Sequence, residues 1–496
     1  MPALINCDVL VYGGGFPAVA AARQAQDMLG RGARVLLVTA DSILGGTGTV
    51  GGQNFWDVRP WPEDGALPQG GSFARWYGAL GQGYDPEEMA RLLRRELQRE
   101  PSVEVLLGHE IAEAVGEDLV VRPVRDGDRG RQWTEGPDVA VTARVEVDAS
   151  ETGRLVRLRG VAHTVGREDW AGDRRQMAAS LMFPVTGVDT EAALAARGPD
   201  GPEFSGLVDP VRGRLLLWGG HATARHDPQV VAFHHAHPGF RLKGLNAAPD
   251  NEGRYWLNVL LAYGVDARLD GLDAIGTQPT PDPEPGTLRL DEAWVAMRAL
   301  MRSGELLQAL RRFPGFAGID FTMRGDAPES ARGLYIRESI HALRHEAGAE
   351  SARFALTLED VRSGGDRHAA HAVGYGYYWL DNNGYEPIPS GDSHPGPQAV
   401  PEVERPFTLP YELVTVPSHP RLLVPGYAAS CSSRAWWALR VLPNLSVLGD
   451  AAGVAAALGV LRGRPPGAFI GPEIREVQRQ LQAVVGAKLD RDARRL

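Results

Sequence analysis

Lysine is almost missing from this 496-residue chain: of 52 basic residues, only Lys243 and Lys488 are lysines. Nearly every cation is therefore a guanidinium, which reads as the codon bias of a GC-rich bacterial genome. Cysteine is as scarce. Cys7 and Cys431 stand far apart and neither belongs to a C-x-x-C pair, which excludes a disulfide framework, a zinc cage and a thioredoxin-type redox couple. A reducing cytoplasm is the expected compartment. A surplus of positive charge is lacking too. The net charge is −10 and the isoelectric point about 5.8, so no basic face is expected for nucleic acid or an anionic membrane. Apolar runs stay short of the ~18 residues that mark a membrane span. The start, MPALINCDVLVYGGG, has no basic region of the signal-peptide kind. No metal is expected either. In Phe233-His234-His235-Ala236-His237, adjacent histidines of an extended chain point to opposite faces and no carboxylate or thiol stands at ligand spacing. These histidines read as an exposed loop.

Glycine, by contrast, is abundant, with 60 residues. It concentrates first in CDVLVYGGGFPAVAAARQAQDMLGRGARVLLVTAD (7–41). Residues 8–12 are apolar on both faces, as in a fully buried strand. After the turn at Gly13-Gly14-Gly15, small residues at 18, 21, 22 and 25 keep helical spacing, and 34–39 read as a second buried strand. This is a βαβ unit with Gly13-x-Gly15-x-x-Ala18 at its first turn. Gly13 permits the turn, Gly15 lets the backbone approach a pyrophosphate, and Ala18 lets helix and strand pack closely. The helix N-terminus then offers unbonded amides and a positive dipole end to phosphate oxygens. At the end of the second strand, where such folds carry an acidic residue for the ribose, stands Thr39, with Asp41 two positions on.

A second glycine-dense loop follows, Gly45-Gly46-Thr47-Gly48-Thr49 and then Gly51-Gly52, suited to bringing backbone amides against a flat ring. Residues 85–100 form an amphipathic helix after an Asp85-Pro86 start signal. Strands are expected at 103–107 and 139–147, around a charged hairpin at 126–136. From about 165 to 400 the pattern loosens, with a proline-rich stretch TQPTPDPEPGTLR (277–289) and a helix over 291–311. Buried-strand character returns from about 405, at 421–424. In LPNLSVLGDAAGVAAALG (442–459) an apolar strand is expected to turn at Gly449-Asp450 into a helix of small residues.

In that order the segments YGGGFPAVAAA (12–22), ILGGTGT (43–49), VDASETG (147–153), GLYIRES (333–339), PYELVTVPSHPRLLVPGY (410–427) and RAWWALRVLPNLSVLGDAAGVAAALG (434–459) resemble the FAD-dependent oxidoreductases with a glutathione-reductase-like FAD domain. The resemblance implies an α/β fold: a discontinuous, Rossmann-like FAD-binding domain at 1–160 and 405–496, with an inserted α+β substrate domain at 161–404. It implies FAD as cofactor, a small-molecule substrate, and an assembly for which a homo-oligomer is compatible. The cofactor residues implied are Gly13, Gly15, Phe16, Pro17, Ala18, Thr39, Asp41, Gly45, Gly46, Thr47, Ala149, Gly153, Gly449, Asp450 and Val454. Asp450 would take the ribityl hydroxyls, and a helix beginning near Ala451 would aim its N-terminus at the N1/O2 edge of the flavin. The chain departs from the family pattern at Ile340-His341, at Ser430-Cys431-Ser432-Ser433 and at Asp381-Asn382-Asn383.

Three residues are catalytic candidates. Arg337, beside Glu338, is of the type that grips a carboxylate with two parallel hydrogen bonds. His341, four positions on, would share its helix face and donate a proton. Arg440 would place a cation near the flavin or the pyrophosphate. Each has a structural alternative: a buried Arg–Glu pair, a core histidine, an interdomain ion pair. Cys431, without a partner, reads as a small buried residue, and Trp436-Trp437 as core. A second dinucleotide turn is missing, so electrons are expected from an organic substrate over the flavin, the transfer being a hydride at N5. Two rivals stand beside this: a flavin reductase fed by a separate protein, and an FAD-binding scaffold without turnover.

Overall fold

The computed structural model describes residues 3–272, 286–387 and 402–489. The proline-rich stretch expected at 277–289 therefore falls largely outside the described residues.

The apolar run before the glycines forms β1 (Ala3–Tyr12), longer than the five residues expected because its first half pairs with the 139–143 segment. After the turn come α1 (Phe16–Leu29) and β2 (Val35–Thr39), every residue of β2 being buried. Helices α2 (Gly71–Leu80) and α3 (Pro86–Gln98) follow. The start of α3 is as expected: the Asp85 side chain accepts from the Glu88 amide, and proline follows at the first position. Strands β3 (Glu104–Leu107), β4 (His109–Val115), β5 (Asp118–Gly127), β6 (Gly130–Trp133) and β7 (Val139–Asp148) complete the first half.

These strands build one sheet in the order β3-β2-β1-β7-β5-β4, with β6 hairpinned on β5. Its β3-β2-β1-β7 part is parallel, and Tyr12 stands level with both Val38 and Asp148. Leu422–Leu423, within the strand expected at 421–424, returns to lie parallel to β7 at Glu146 and Val147. The far end of the chain thus closes the sheet begun by its first residues. A second sheet is antiparallel, running Phe204–Val208, Leu215–Gly219, Phe240–Pro249, Tyr255–Ala262, Ala179–Thr186 and Asp320–Phe321 across its width.

Three expectations are corrected. Residues 442–448 are not a strand: Leu442–Arg462 is one continuous helix that carries Gly449-Asp450 in its middle. Pro443 in its first turn starts it, and its glycines serve close packing on α1. A Cβ on Gly449 would sit 2.3 Å from the Pro17 carbonyl oxygen, and one on Gly453 2.3 Å from that of Ala21. This helix is long and apolar enough to cross a bilayer, but 94% of its most apolar window is buried inside the fold, the position of a core helix. The helix expected over 291–311 is two, Leu290–Ser303 and Glu305–Leu310, divided at Gly304 in the left-handed region (φ 78°). The histidine run is not a loop: Phe233–Ala236 lies in the helix Pro228–Ala236, started by Asp227, with His237 at its C-terminal end, and His234 is buried with its Nε2 accepting from the Leu242 amide. Burial pushes the His234 imidazole down to about 4, so it stays neutral.

Candidate functional site

At the C-terminal ends of β1, β2 and β7 lies a cleft enclosing about 1040 Å³ of empty space, part of it open to solvent. That is where open α/β sheets bind ligands, outside the carboxyl ends of their strands. Its floor is the glycine turn. Gly13 holds φ +115° and hydrogen bonds through its amide to the Val38 carbonyl. A Cβ there would come within 2.9 Å of the Ala149 and Ser150 backbone, so β1 and β7 approach this closely only over glycine. Gly15 differs: a Cβ would make only ordinary contacts, with Pro17 Cδ at 3.6 Å and Glu151 Oε1 at 3.8 Å, and the residue lines the cleft. It is also the N-cap of α1, with no side chain bonded over the helix end and no acidic residue in the first turn. The amides of Phe16 and Ala18 are therefore without helical acceptors, as any helix start leaves them.

The loop after β2 folds back onto this turn. The Gly45 amide donates to the Gly14 carbonyl at 2.7 Å, and Gly46 (φ +50°) lies against Gly15. Opposite them stands Glu151, whose carboxylate accepts from the Thr47 amide. Burial, with the negative field of Asp41 added, pushes its carboxyl up to about 7. Asp41 does not reach back alone for a ribose. Arg131, from β6, pairs with it at 2.8 Å and with Asp126 at 3.2 Å. Glu110, on β4, is buried near Arg154 (3.8 Å), and burial raises it to about 7. From this charged end the cleft runs to Val50, Gly51 and the segment Gly333-Leu334, which is tied to Val50 by the Gly333 amide at 3.0 Å.

Of the expected cofactor residues, Gly13, Gly15, Thr39, Asp41, Gly46 and Ala149 line the cleft. Others lie beside it. Phe16 is fully buried with its ring 4.5 Å from Trp56, Pro17 and Ala18 form the first turn of α1, and Gly45 and Thr47 frame the loop. Gly153 packs beneath Ile340, where a Cβ would meet the Ile340 side chain at 2.4 Å. The C-terminal trio stands elsewhere. Gly449 contacts α1, Val454 is core, and Asp450 is buried between α1 and α2. Its oxygens accept from the Ser72 amide (2.9 Å), the Ser72 hydroxyl (2.6 Å) and Gln24 Nε2 (2.9 Å). In mid-helix and fully engaged, it lines no part of the cleft. The expectation that it ends a strand facing the ribityl chain is thereby corrected.

The catalytic candidates gather behind the Gly333–Ile336 wall, in two groups. Arg337 is 1% exposed and donates to Ala178 O (2.7 Å), Ser180 Oγ (2.9 Å) and Asn258 Oδ1 (3.1 Å), while stacking 4.3 Å over the Tyr335 ring. Arg440 donates to the Tyr335 hydroxyl (2.8 Å) and to Asp381 (2.5 Å). His341 shares no helix with Arg337, because residues 340–342 are a strand paired with 163–165. It lies on another side, with Nε2 3.2 Å from Glu338 and Nδ1 3.8 Å from the Cys431 sulfur, against the Trp436 ring. Burial raises both the Glu338 carboxyl and the Cys431 thiol. Trp436 is core, its indole donating to the Arg337 carbonyl.

Sequence reasoning missed Glu110, Arg131, Glu151 and Lys243. The charged hairpin at 126–136 was the visible hint of Arg131. Glu151 sits inside a quoted motif. For Glu110 and Lys243 no local signal exists. Among the described residues no group of three or more His, Cys, Asp or Glu side chains is arranged to hold a metal ion.

The glycine floor, the uncapped α1 terminus and the volume of the cleft fit a dinucleotide such as FAD. Comparison with known proteins gives the same cofactor. The family described as FAD dependent oxidoreductase matches residues 8–481. No curated protein matches the chain. Among solved structures, the p-nitrophenol 4-monooxygenase of Pseudomonas putida is 12% identical, with 71% of this chain and 73% of that one covered and a TM-score of 0.30. The myxobacterial chondrochloren halogenase is 16% identical over 69% and 65%, with a TM-score of 0.32. The anhydrotetracycline hydroxylase of Streptomyces rimosus is 14% identical over 70% and 57%, with a TM-score of 0.31. The match over nearly the whole length decides the assignment: the chain belongs to the FAD dependent oxidoreductase family, and it is an FAD-using oxidoreductase.

Proposed function

We propose that this oxidoreductase acts on a small polar organic molecule by hydride transfer at flavin N5, the substrate lying beyond the Val50–Gly51 and Gly333–Ile336 end of the cleft. In this reading residues 1–160 and 405–496 hold the cofactor and residues 161–404 cover the substrate. The observation that carries it is Gly15 lining the cleft at a start of α1 that no side chain caps, in a cleft that runs on to Val50, Gly51 and Gly333. FAD, when bound, supplies a two-electron acceptor and donor.

The chain's own residues have defined tasks. Gly15, with the Phe16 and Ala18 amides, receives the pyrophosphate. Thr39 and the Asp41–Arg131 pair bound the adenosine end. Glu151, facing Gly15 and Gly46, is best held protonated beside two phosphate charges, which its raised pKa favours. Tyr335 and Arg440 define the substrate side of the wall.

The test is the visible spectrum of the purified protein, then acid precipitation and identification of what is released. Flavin bands with FAD in the supernatant, bleached anaerobically by an organic reductant, support the reading. A colourless protein that takes up no added FAD defeats it.

A further inference from the structure

Lys243, one of only two lysines, is buried at 8% exposure, whereas Lys488 is on the surface. It lies in the second sheet where the register between Phe240–Pro249 and Tyr255–Ala262 slips between Leu242 and Asn246. A bulge of this kind re-aims a side chain and is frequent beside active sites. Among the described residues its one hydrogen bond is to the carbonyl of its own neighbour, Gly244, at 3.2 Å. No carboxylate of the described residues lies within the 4.0 Å of an ion pair. An ammonium has three hydrogens to give. Two are unspent here, in a position where burying a charge without a partner is costly.

The charges acting most strongly on Lys243 are Arg337, Asp381, Asp57 and Arg440. Both arginines are at least 97% buried, and each leaves its Nε without an acceptor. With Lys243 protonated, these five groups comprise three cations and two carboxylates, one positive charge in excess among them. Burial and the two arginines push the ammonium down to about 7, and burial, with the Asp381 carboxylate acting in the same direction, raises Asp57 to about 6. Two stretches lead here from the cleft. Gly51 lines it and Gln53, two residues on, hydrogen bonds Asp57 (3.4 Å) and Asn258 (3.4 Å). Leu334 and Ile336 line it while Tyr335, between them, points away to Arg440 and Arg337.

We propose that Lys243, with Arg337 and Arg440, forms the recognition site for a small organic monocarboxylate, the substrate class of this oxidoreductase. The carboxylate accepts from the unspent Lys243 hydrogens and supplies the missing negative charge. Its carbon skeleton lies toward the Tyr335 wall and the cleft. This rests on the function proposed above, and the test keeps the two apart.

The holoenzyme, its FAD content fixed by absorbance, is titrated with acetate and benzoate and, as neutral isosteres, acetamide and benzamide. Ionic strength is held with chloride, and binding is read from the thermal midpoint and the flavin spectrum. The wild type is expected to be stabilised by a carboxylate and not by its amide. Lys243→Met is expected to keep its FAD, to unfold no earlier than the wild type because the surplus charge is gone, and to bind the carboxylate at least about tenfold more weakly. Asp57→Asn, which enlarges the surplus, is expected to bind the carboxylate more tightly. Amides matching carboxylates in the wild type, or no stabilisation by either, overturns the proposal. So does a Lys243→Met protein that keeps the carboxylate response. If Lys243→Met does not fold, Asp57→Asn decides, and unchanged or weaker carboxylate binding overturns the proposal. A failure to retain FAD counts against the function reading alone, because the thermal midpoint reports carboxylate binding without the flavin.

Discussion

Two stretches of this chain look alike in sequence, each a run of apolar residues broken by glycine and followed by small residues at helical spacing. At 8–25 the glycines end a strand and open a cleft, with Gly13 at φ +115° and Gly15 bare toward the ligand side. At 442–459 the glycines never leave the helix, and their missing Cβ atoms let it lie on α1 at Pro17 and Ala21. Glycine serves close approach in both places, in one of β1 to β7 at the cleft and in the other of one helix to its neighbour. What separates them is their surroundings. The first stretch is the middle of a parallel sheet, with β2 and β7 on either side of β1, while the second is wrapped on all sides by core. The α1 helix is shared: its N-terminus serves the cleft and its face carries the long helix.

Substitutions sharpen this comparison, the largest effect first. Gly453→Val forces α1 and the long helix apart at Ala21 and is expected to cost about 3 kcal/mol or more, read as an early denaturation midpoint. A midpoint like that of the wild type would break the packing account. Gly15→Val has the opposite signature. Its Cβ meets nothing nearer than 3.6 Å, so stability should move by no more than about 0.5 kcal/mol, while the FAD-to-protein absorbance ratio falls on the order of tenfold. Asp450→Asn puts an amide donor where three donors already point, and should cost about 1–3 kcal/mol. The FAD content of the folded protein should stay that of the wild type; loss of FAD at unchanged stability would return Asp450 to the cofactor site.

The smallest effect concerns pH. Glu151 is held up at about 7 against an ordinary 4.5, so between these values the folded state keeps a proton that the unfolded state has lost. Stability therefore falls as pH rises from about 4.5 to about 7 and is level above. Glu151→Gln should remove on the order of 1 kcal/mol of that fall, leaving the part due to Glu110 and Asp57, which titrate in the same direction. Denaturation midpoints measured across this range check it, and parallel curves for the two proteins would exclude Glu151 as a titrating group.

The first βαβ unit was legible because its determinants are local. A both-sided apolar strand, a glycine turn and small residues at helical spacing need no distant partner to be read, and the Asp85-Pro86 start of α3 is of the same kind. Residues 442–448 misled because a short apolar run is equally good as buried strand or buried helix. Pro443, which opens a helix and would interrupt a central strand, was the available signal against a strand. His341 misled for a related reason: the i, i+4 spacing to Arg337 matters only in a helix, and the pairing of 340–342 with 163–165 makes it a strand.

The sequence by itself determined the glycine turn, the parallel start of the sheet and the FAD-binding character, since each depends on neighbours within a few dozen residues. Tertiary structure alone decided which glycines line the cleft and which pack against protein. It also decided that Asp57, Lys243, Arg337, Asp381 and Arg440, drawn from segments as much as hundreds of residues apart, act on one another as one charged group. The physical reason is that a charge takes its meaning from its surroundings. An unpaired lysine in water is ordinary, and the same lysine in a protein core calls for an anion.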